Sequence, residues 1–197
     1  GESAHIAFDP DDPTLVYATT INGTLTEYNH DNKKSRYISP YPETVFGMDS
    51  KDLKYRANWN PPVITSPHDR STIYYGTQYL LKSTDRGLNW EEVSPDLTRN
   101  EEGKQGKGAG PYTNENMEQY NTIFAFAESP HDADTLWVGT DDGLVHVTRN
   151  GGASWSALPS PHPALRPWSP IKATRARAPP LTAPRPTPPP AATSALA

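Results

Sequence analysis

The sequence predicts an all-β fold built from a repeated four-stranded unit, and three observations support this. A phrase recurs: residues 66–77 read SPHDRSTIYYGT, residues 129–140 read SPHDADTLWVGT, and residues 9–20 hold a looser copy, DPDDPTLVYATT. A frame of the type S/T-x-D/N-x-G-x-x-W follows at residues 83–90 and again at 148–155. Short runs rich in β-branched and aromatic residues alternate with turn residues, and no segment has a convincing helical period. Repetition at this spacing decides the architecture.

Each unit is expected to supply four short strands in the same order. The first strands are predicted at residues 6–8, 63–64 and 123–127, and the second at 15–18, 73–75 and 136–138. Proline and aspartate join them in a turn, because proline restricts φ and the aspartate side chain caps nearby backbone. Asn22-Gly23 and Asp142-Gly143 then predict type I′ hairpins, which need positive φ at both central residues. A third strand, residues 144–147 in the last unit, leads into the frame, and a fourth follows at residues 90–93 and 155–158.

Four short antiparallel strands per unit are typical of β-propeller blades. The units superimpose at Pro10, Pro67 and Pro130, which are 57 and 63 residues apart. We therefore predict a partial β-propeller of about three four-stranded blades over residues 1–157. Propellers close with four or more blades, so an unclosed set leaves strand edges exposed. We expect an internal fragment of a larger protein, poorly soluble alone, whose partners are the missing blades.

The composition changes at about residue 158. Residues 158–197 contain 12 prolines, five basic residues and no acidic residue. Such a segment cannot bury a core, and we expect a disordered, polyproline-like tail. One interpretation is a proline-rich linker or SH3-type ligand. The other is translation of a GC-rich gene in the wrong frame, since the repeat pattern stops abruptly within a blade.

Charge and composition exclude several classes of function. The net charge of −5 combines a tail of +5 with a body of −10, and an acidic body argues against a nucleic-acid surface. The absence of cysteine excludes disulfides and thiolate metal sites. His68-Asp69 and His131-Asp132 recur, but at equivalent positions of different blades, so they should lie too far apart to share a metal. No apolar run is long enough for a membrane span. We expect no cofactor and no metal.

The Asp/Gly/Trp frame has a structural explanation. An Asp or Asn side chain can accept backbone N–H groups inside the turn between two strands, glycine takes a conformation that other residues avoid, and tryptophan packs beneath the turn. We interpret the frame as structural at both of its occurrences, Ser83, Asp85, Gly87 and Trp90, and Thr148, Asn150, Gly152 and Trp155.

This frame resembles the Asp-box, or BNR, motif S-x-D-x-G-x-x-W. The text around it, NWNPP at 58–62, GPYT at 110–113 and TDDGLV at 140–145, is similar to large bacterial BNR-repeat proteins of the sortilin N-terminal (VPS10-like) and xyloglucanase-like glycosyl hydrolase types. The resemblance covers residues 1–157. It implies a β-propeller with structural Asp-boxes away from any catalytic face, and a secreted or periplasmic location.

Candidate functional residues lie in the segments that do not repeat, residues 33–59 and 99–121. Aromatic rings stack on sugars, and Trp59 and Tyr112 are our candidates for ligand-facing residues, ahead of Tyr41 and Tyr55. A glycosidase would need two facing carboxylates, for which the loop candidates are Glu43, Asp49, Asp52, Glu115 and Glu118. A sialidase would need an arginine cluster, for which the candidates are Arg36, Arg56 and Arg70. We interpret nearly all of these charges as solvated surface groups and assign no catalytic residue.

Two functions remain open from the sequence. The first, which we favour for this chain, is a binding or scaffold module that presents its loops to a protein, peptide or glycan. The alternative is part of a xyloglucanase-like glycoside hydrolase whose catalytic carboxylates are not identifiable here.

Overall fold

The computed structural model describes residues 5–9, 12–20, 23–43, 48–106 and 119–159. Tyr112, Glu115, Glu118 and nearly all of the proline-rich tail lie outside these residues. Within the described part, no helix is long and apolar enough to cross a membrane.

The described chain forms three four-stranded antiparallel sheets, named here blades 1, 2 and 3, each with its strands in chain order. Blade 1 contains β1 (Ile6–Asp9), β2 (Asp12–Thr20), β3 (Thr24–Asn29) and β4 (Lys34–Tyr37). Blade 2 contains β5 (Val63–Thr65), β6 (Ile73–Gly76), β7 (Leu80–Ser83) and β8 (Glu91–Glu92). Blade 3 contains β9 (Ile123–Ser129), β10 (Asp132–Thr140), β11 (Val145–Arg149) and β12 (Ser156–Ala157). The predicted all-β, partial propeller of three blades is confirmed.

The recurring aspartate holds the first turn of each blade. The Asp69 carboxylate accepts the backbone N–H of Ser71 at 3.1 Å and the hydroxyl of Thr72 at 2.6 Å. Asp132 likewise accepts one backbone N–H, from the residue two positions onward, and one hydroxyl, from the residue three positions onward. Asp12 accepts both the backbone N–H and the hydroxyl of the residue two positions onward. These bonds stabilise the ionised carboxylates and lower the pKa of all three aspartates, with a side-chain hydroxyl as the largest cause.

The second turn of blade 3 differs from the prediction. Gly143 has a φ of +86°, but Asp142 does not have positive φ, so Asp142-Gly143 is not a type I′ pair. The loop is one residue longer: Gly139 pairs with Val145, and the backbone N–H of Thr140 donates to the Leu144 carbonyl. A three-residue loop of this kind needs a left-handed residue only at its last position, which the glycine supplies.

The hydrophobic core lies between blades. Because side chains alternate along a strand, Ile73 and Tyr75 of β6 join the cluster shared with blade 1, while Tyr74 joins the cluster shared with blade 3. β1 and β2 contact β5, and β6 contacts β9, so successive blades meet through their inner strands. Blade 2 therefore buries one face against blade 1 and the other against blade 3.

The frame at residues 83–90 forms a tight turn between β7 and β8. Ser83 Oγ accepts the Gly87 N–H at 2.8 Å, and Asp85 Oδ1 accepts the N–H groups of Leu88 and Asn89 at 3.0 and 2.9 Å. The Asn89 N–H, followed by the side chains of Asn89 and Ser83, lowers the pKa of Asp85 to about 2. The frame at 148–155 has the matching bonds: Thr148 Oγ1 accepts from Gly152, and Asn150 Oδ1 accepts from Ser154.

The tryptophan of each frame reaches the preceding blade. Trp90 Nε1 donates to the Ile38 carbonyl, and Trp155 Nε1 donates to the Val93 carbonyl, both at 2.9 Å. Ile38 and Val93 each come directly after the fourth strand of the preceding blade. The glycines of the frame lie against the same two residues. A Cβ added to Gly87 would be 2.8 Å from Ile38 Cβ, and a Cβ added to Gly152 would overlap the Val93 carbonyl oxygen. The frame therefore fastens one blade to the next.

We predict that Gly152→Ala destabilises the protein by about 3 kcal/mol, because it adds left-handed strain and a backbone overlap. Gly152 has a φ of +101°, and its Cβ would meet Val93. The control is Gly103→Ala, whose Cβ meets nothing within 4 Å. Chemical denaturation of both variants checks this, and equal midpoints would contradict it.

Candidate functional site

The described residues of the two crossovers, which connect blade 1 to blade 2 and blade 2 to blade 3, lie at one end of the blades. In an antiparallel four-stranded sheet, the second turn and the crossover to the next blade share one end, and the first and third turns share the other. The crossovers run from residue 38 to 62 and from 93 to 122. They contact each other, since the N–H of Ser50 donates to the Gly106 carbonyl at 3.1 Å and that of Lys51 to the Gln105 carbonyl at 3.3 Å. We call this end the crossover end.

A buried polar junction holds the crossovers in place. Gln78, in the second turn of blade 2, accepts the Arg56 N–H at 2.7 Å and donates to the Lys54 carbonyl at 2.8 Å. The Arg56 guanidinium pairs with Asp96 of the other crossover at 2.7 Å and donates to the Asn121 carbonyl. The interpretation of Arg56 as a solvated surface charge is wrong, because its side chain is buried. A buried, paired arginine of this kind has a structural role.

The other candidate arginines are also paired with acids. Arg36 and Arg86 both bind Glu27 at 3.0 Å, and Arg70 binds Asp9 at 3.1 Å. Each guanidinium is therefore engaged by a carboxylate of this chain. The described arginines do not form the cluster that a sialidase needs to hold a substrate carboxylate.

Asp141 and Asp142 form an acidic pair at the crossover end that sequence reasoning treated only as a turn. Both Asp141 oxygens accept from Thr122, one from its N–H at 3.0 Å and one from its hydroxyl at 2.8 Å. Asp142 accepts from the Thr140 hydroxyl, from the Arg99 N–H at 2.7 Å and from the Asn121 side chain at 2.8 Å. The pair thus ties the second turn of blade 3 to the crossover that precedes it.

Burial raises the pKa of Asp141 to about 6, and the adjacent Asp142 acts in the same direction while the Thr122 hydrogen bonds oppose it. A raised carboxyl pKa is one property of a general acid. However, every oxygen of this carboxyl is already used by Thr122. The geometry therefore favours a structural role for the pair.

An open cleft of about 520 Å³ lies at this end between blades 1 and 2, and is called here the tyrosine cleft. Its lining residues come from the second turn and fourth strand of blade 1, from the first crossover and from β6 and the residue after it: Gly23, Thr24, Tyr37, Ser39, Pro40, Tyr41, Pro42, Glu43, Tyr55, Ala57, Tyr75 and Thr77. Tyr37 is 81% exposed and Tyr41 is 46% exposed, whereas Tyr75 is buried and donates to the Gly23 carbonyl at 2.7 Å. The cleft has a fixed base and exposed aromatic walls.

Contacts between side chains hold the aromatic rings of the cleft in place. Tyr55 makes edge-to-face contacts with Tyr41 and Tyr79, with ring centroids 6.4 and 6.2 Å apart. The Lys54 ammonium lies 4.8 and 5.0 Å from the ring centres of Tyr41 and Tyr55. The Tyr55 hydroxyl donates to Glu92 at 2.9 Å; burial, followed by this bond, raises the pKa of Tyr55.

The sequence-based candidates are distributed unevenly. Tyr41, Tyr55 and Glu43 line the cleft, and the Lys54 N–H donates to Glu43 at 3.1 Å. Asp49 precedes the short 3-10 helix Ser50–Asp52, Asp52 is its last residue, and neither lines the cleft. Trp59 is half-buried and does not line the cleft, so its ligand-facing role stays a prediction, as does that of Tyr112. Sequence reasoning missed Tyr37, Pro40 and Pro42; the cluster of rings in YISPYP at residues 37–42 was the available signal.

No protein-family model matches the chain, and no curated protein matches it. Solved structures that match include an ancestral GH74 enzyme at 17% identity and a TM-score of 0.48, over 80% of this chain and 18% of that one. The GH74 xyloglucanase from Xanthomonas campestris matches at 18% identity and a TM-score of 0.46, over 75% of this chain and 20% of that one. YCF48 from Cyanidioschyzon merolae matches at 18% identity and a TM-score of 0.41, over 79% of this chain and 37% of that one. The chain thus spans about a fifth of the two GH74 structures and over a third of YCF48.

We predict that Asp141→Asn changes the pH dependence of stability. The raised pKa stabilises the folded protein fully below about pH 4, and this contribution is lost as the pH rises through about 6, for a total of about 3 kcal/mol. The variant has no titrating carboxyl group at this position. Its free energy of unfolding should therefore rise relative to that of the unmodified protein between pH 4 and 7. Urea unfolding at several pH values measures this, and parallel profiles would contradict it.

Proposed function

We propose that this chain is a binding module that holds an extended ligand, a protein segment, a peptide or a glycan chain, in the tyrosine cleft at the crossover end. The observation that carries the proposal is the exposure of Tyr37 and Tyr41 on the walls of a 520 Å³ cleft whose base is a buried tyrosine. Aromatic rings this exposed leave apolar area that a ligand can cover. Flat ring faces suit pyranose rings and proline rings alike.

The contacts around Tyr55 support preorganised binding. Two edge-to-face neighbours, a hydrogen bond to Glu92 and the Lys54 ammonium restrict this ring before any ligand arrives. A restricted side chain loses less conformational entropy on binding, so more of the contact energy appears as affinity. Pro40 and Pro42 add rigid apolar surface on the same wall.

The acidic residues favour binding over hydrolysis. Glycoside hydrolysis uses two carboxyl groups facing one cleft. Among the described residues that line the tyrosine cleft, Glu43 is the only carboxylate. The alternative function, part of a xyloglucanase-like hydrolase, would therefore need a second carboxylate from elsewhere. The resemblance to BNR-repeat proteins adds a secreted or periplasmic location to this proposal.

We predict that Tyr41→Ala and Tyr55→Ala each weaken ligand binding about tenfold, which corresponds to about 1.4 kcal/mol for the loss of one stacking ring. Binding of the unmodified protein to a panel of proline-rich peptides and of β-glucan and xyloglucan oligosaccharides is first measured by calorimetry, and the variants are tested on whichever binds. The matched control is Leu88→Ala, an exposed leucine in the frame turn of blade 2.

Two results would contradict the proposal. One is unchanged affinity in both tyrosine variants, which would place the ligand elsewhere. The other is release of shortened oligosaccharides by the unmodified protein, which would favour the hydrolase alternative.

A further inference from the structure

Another cavity lies between blades 1 and 2, at the end of the blades opposite the crossover end. It has a volume of about 240 Å³, and its lining comes from β2, from the first turns of both blades and from the frame turn of blade 2. We call it the turn-end cavity. The polar and charged residues that line it include Asp9, Asp12, Tyr17, Arg70 and Arg86. It shares no lining residue with the tyrosine cleft.

The Tyr17 hydroxyl is a buried donor without an acceptor. Tyr17 is 2% exposed, and its hydroxyl makes no hydrogen bond of acceptable geometry, although Glu27 and Arg86 lie near it. Burial, followed by the Glu27 charge, raises the pKa of Tyr17, so the hydroxyl keeps its proton and remains a donor. A buried hydroxyl that has no partner destabilises the protein. An acceptor in the turn-end cavity would remove this penalty.

The equivalent hydroxyl at the next interface does have an acceptor. In the aligned phrases Tyr74 occupies the position of Tyr17, and its hydroxyl donates to Glu128 of blade 3 at 3.1 Å. The strand register gives Thr65 in β5 the place that Glu128 has in β9. Thr65 is shorter, and its hydroxyl donates to a backbone carbonyl of β1 at 3.0 Å. The interface between blades 1 and 2 therefore has no carboxylate at the position that satisfies Tyr74.

Two arginines are also particular to the interface between blades 1 and 2. Arg70 and Arg86 line the turn-end cavity, whereas blade 3 has Ala133 and Gly151 at the same positions of its turns. Arg86 uses its Nε and Nη2 atoms on Glu27, and no hydrogen bond from its Nη1 is found within the described residues. Its φ of +60° is a conformation that the equivalent glycine adopts without strain. The cavity thus has guanidinium donors where the next interface has a small residue and a glycine.

We propose that the turn-end cavity binds a small organic acid, whose carboxylate accepts hydrogen bonds from the Tyr17 hydroxyl and from Arg86, as Glu128 accepts from Tyr74 at the next interface. Carboxylate and guanidinium form strong, charge-assisted hydrogen bonds. The volume is below the range of pockets for drug-sized ligands, so the ligand has few non-hydrogen atoms. The Asp12 carboxylate has further capacity to accept from a hydroxyl or ammonium group of the same molecule. This inference does not depend on the tyrosine cleft.

Titration of the unmodified protein with acetate, lactate and glycine, each compared with its amide, tests the proposal. Backbone amide chemical shifts followed by nuclear magnetic resonance report both the affinity and the place of binding. We expect at least one acid to bind with a Kd below about 10 mM and at least about tenfold more tightly than its amide, because only the carboxylate pairs with Arg86. The shifts should concentrate at the first turn and the frame turn of blade 2.

Three variants locate the acid. Tyr17→Phe should weaken binding about tenfold without lowering the denaturation midpoint of the ligand-free protein, because the hydroxyl has no hydrogen bond to lose. The matched control, Tyr74→Phe, breaks the bond to Glu128, so it should lower the midpoint and leave acid binding unchanged. Thr65→Glu supplies the protein's own carboxylate at the position of Glu128 and should abolish binding of the free acid.

Three results would overturn the proposal. If no acid binds more tightly than its amide, water alone fills the cavity. Unchanged affinity in Tyr17→Phe would place the acid elsewhere. A Thr65→Glu variant that circular dichroism shows to be folded, and that binds the acid as the unmodified protein does, would exclude a carboxylate at the position equivalent to Glu128.

Discussion

The arrangement of the blades depends on one contact, the indole N–H of the frame tryptophan donating to the carbonyl that follows the preceding blade's fourth strand. The turn that carries the tryptophan is held by its own side chains, Ser83 and Asp85 in blade 2, so its shape is local. Glycine at its tip allows the neighbouring backbone to approach. A turn held by local hydrogen bonds thereby sets the distance between neighbouring blades. The same contact occurs at both interfaces between blades.

This contact also determines where variation is tolerated. The crossovers leave the fourth strands at Ile38 and Val93, the residues that the two tryptophans hold. Beyond those points the sequence no longer follows the repeat. These segments form the polar junction around Arg56 and one wall of the tyrosine cleft. Loops on a rigid scaffold are where binding residues are usually placed. The repeat therefore sets the position of the cleft, and the part that does not repeat supplies most of its lining.

The repeat has a second consequence, which concerns the two faces of each blade. Every blade presents one face to its predecessor and another to its successor, and burial of Tyr17 and Tyr74 requires a successor. Trp137 has the same position in blade 3, the last blade among the described residues, and is 42% exposed. Apolar area of this kind gains on the order of 25 cal/mol per Å² when it is removed from water.

The sequence by itself determined the features that depend on local spacing: three blades, the aspartate caps and the positions of the frame. Tertiary contacts decided the rest. Asp142-Gly143 is not a type I′ turn, and the Asp142 carboxylate binds Arg99 and Asn121, which are distant in sequence. Tyr41 and Tyr55 line the cleft and Trp59 does not, because the path of the crossover is set by contacts such as the Arg56–Asp96 pair. No local period encodes such a path, since its partners come from different blades.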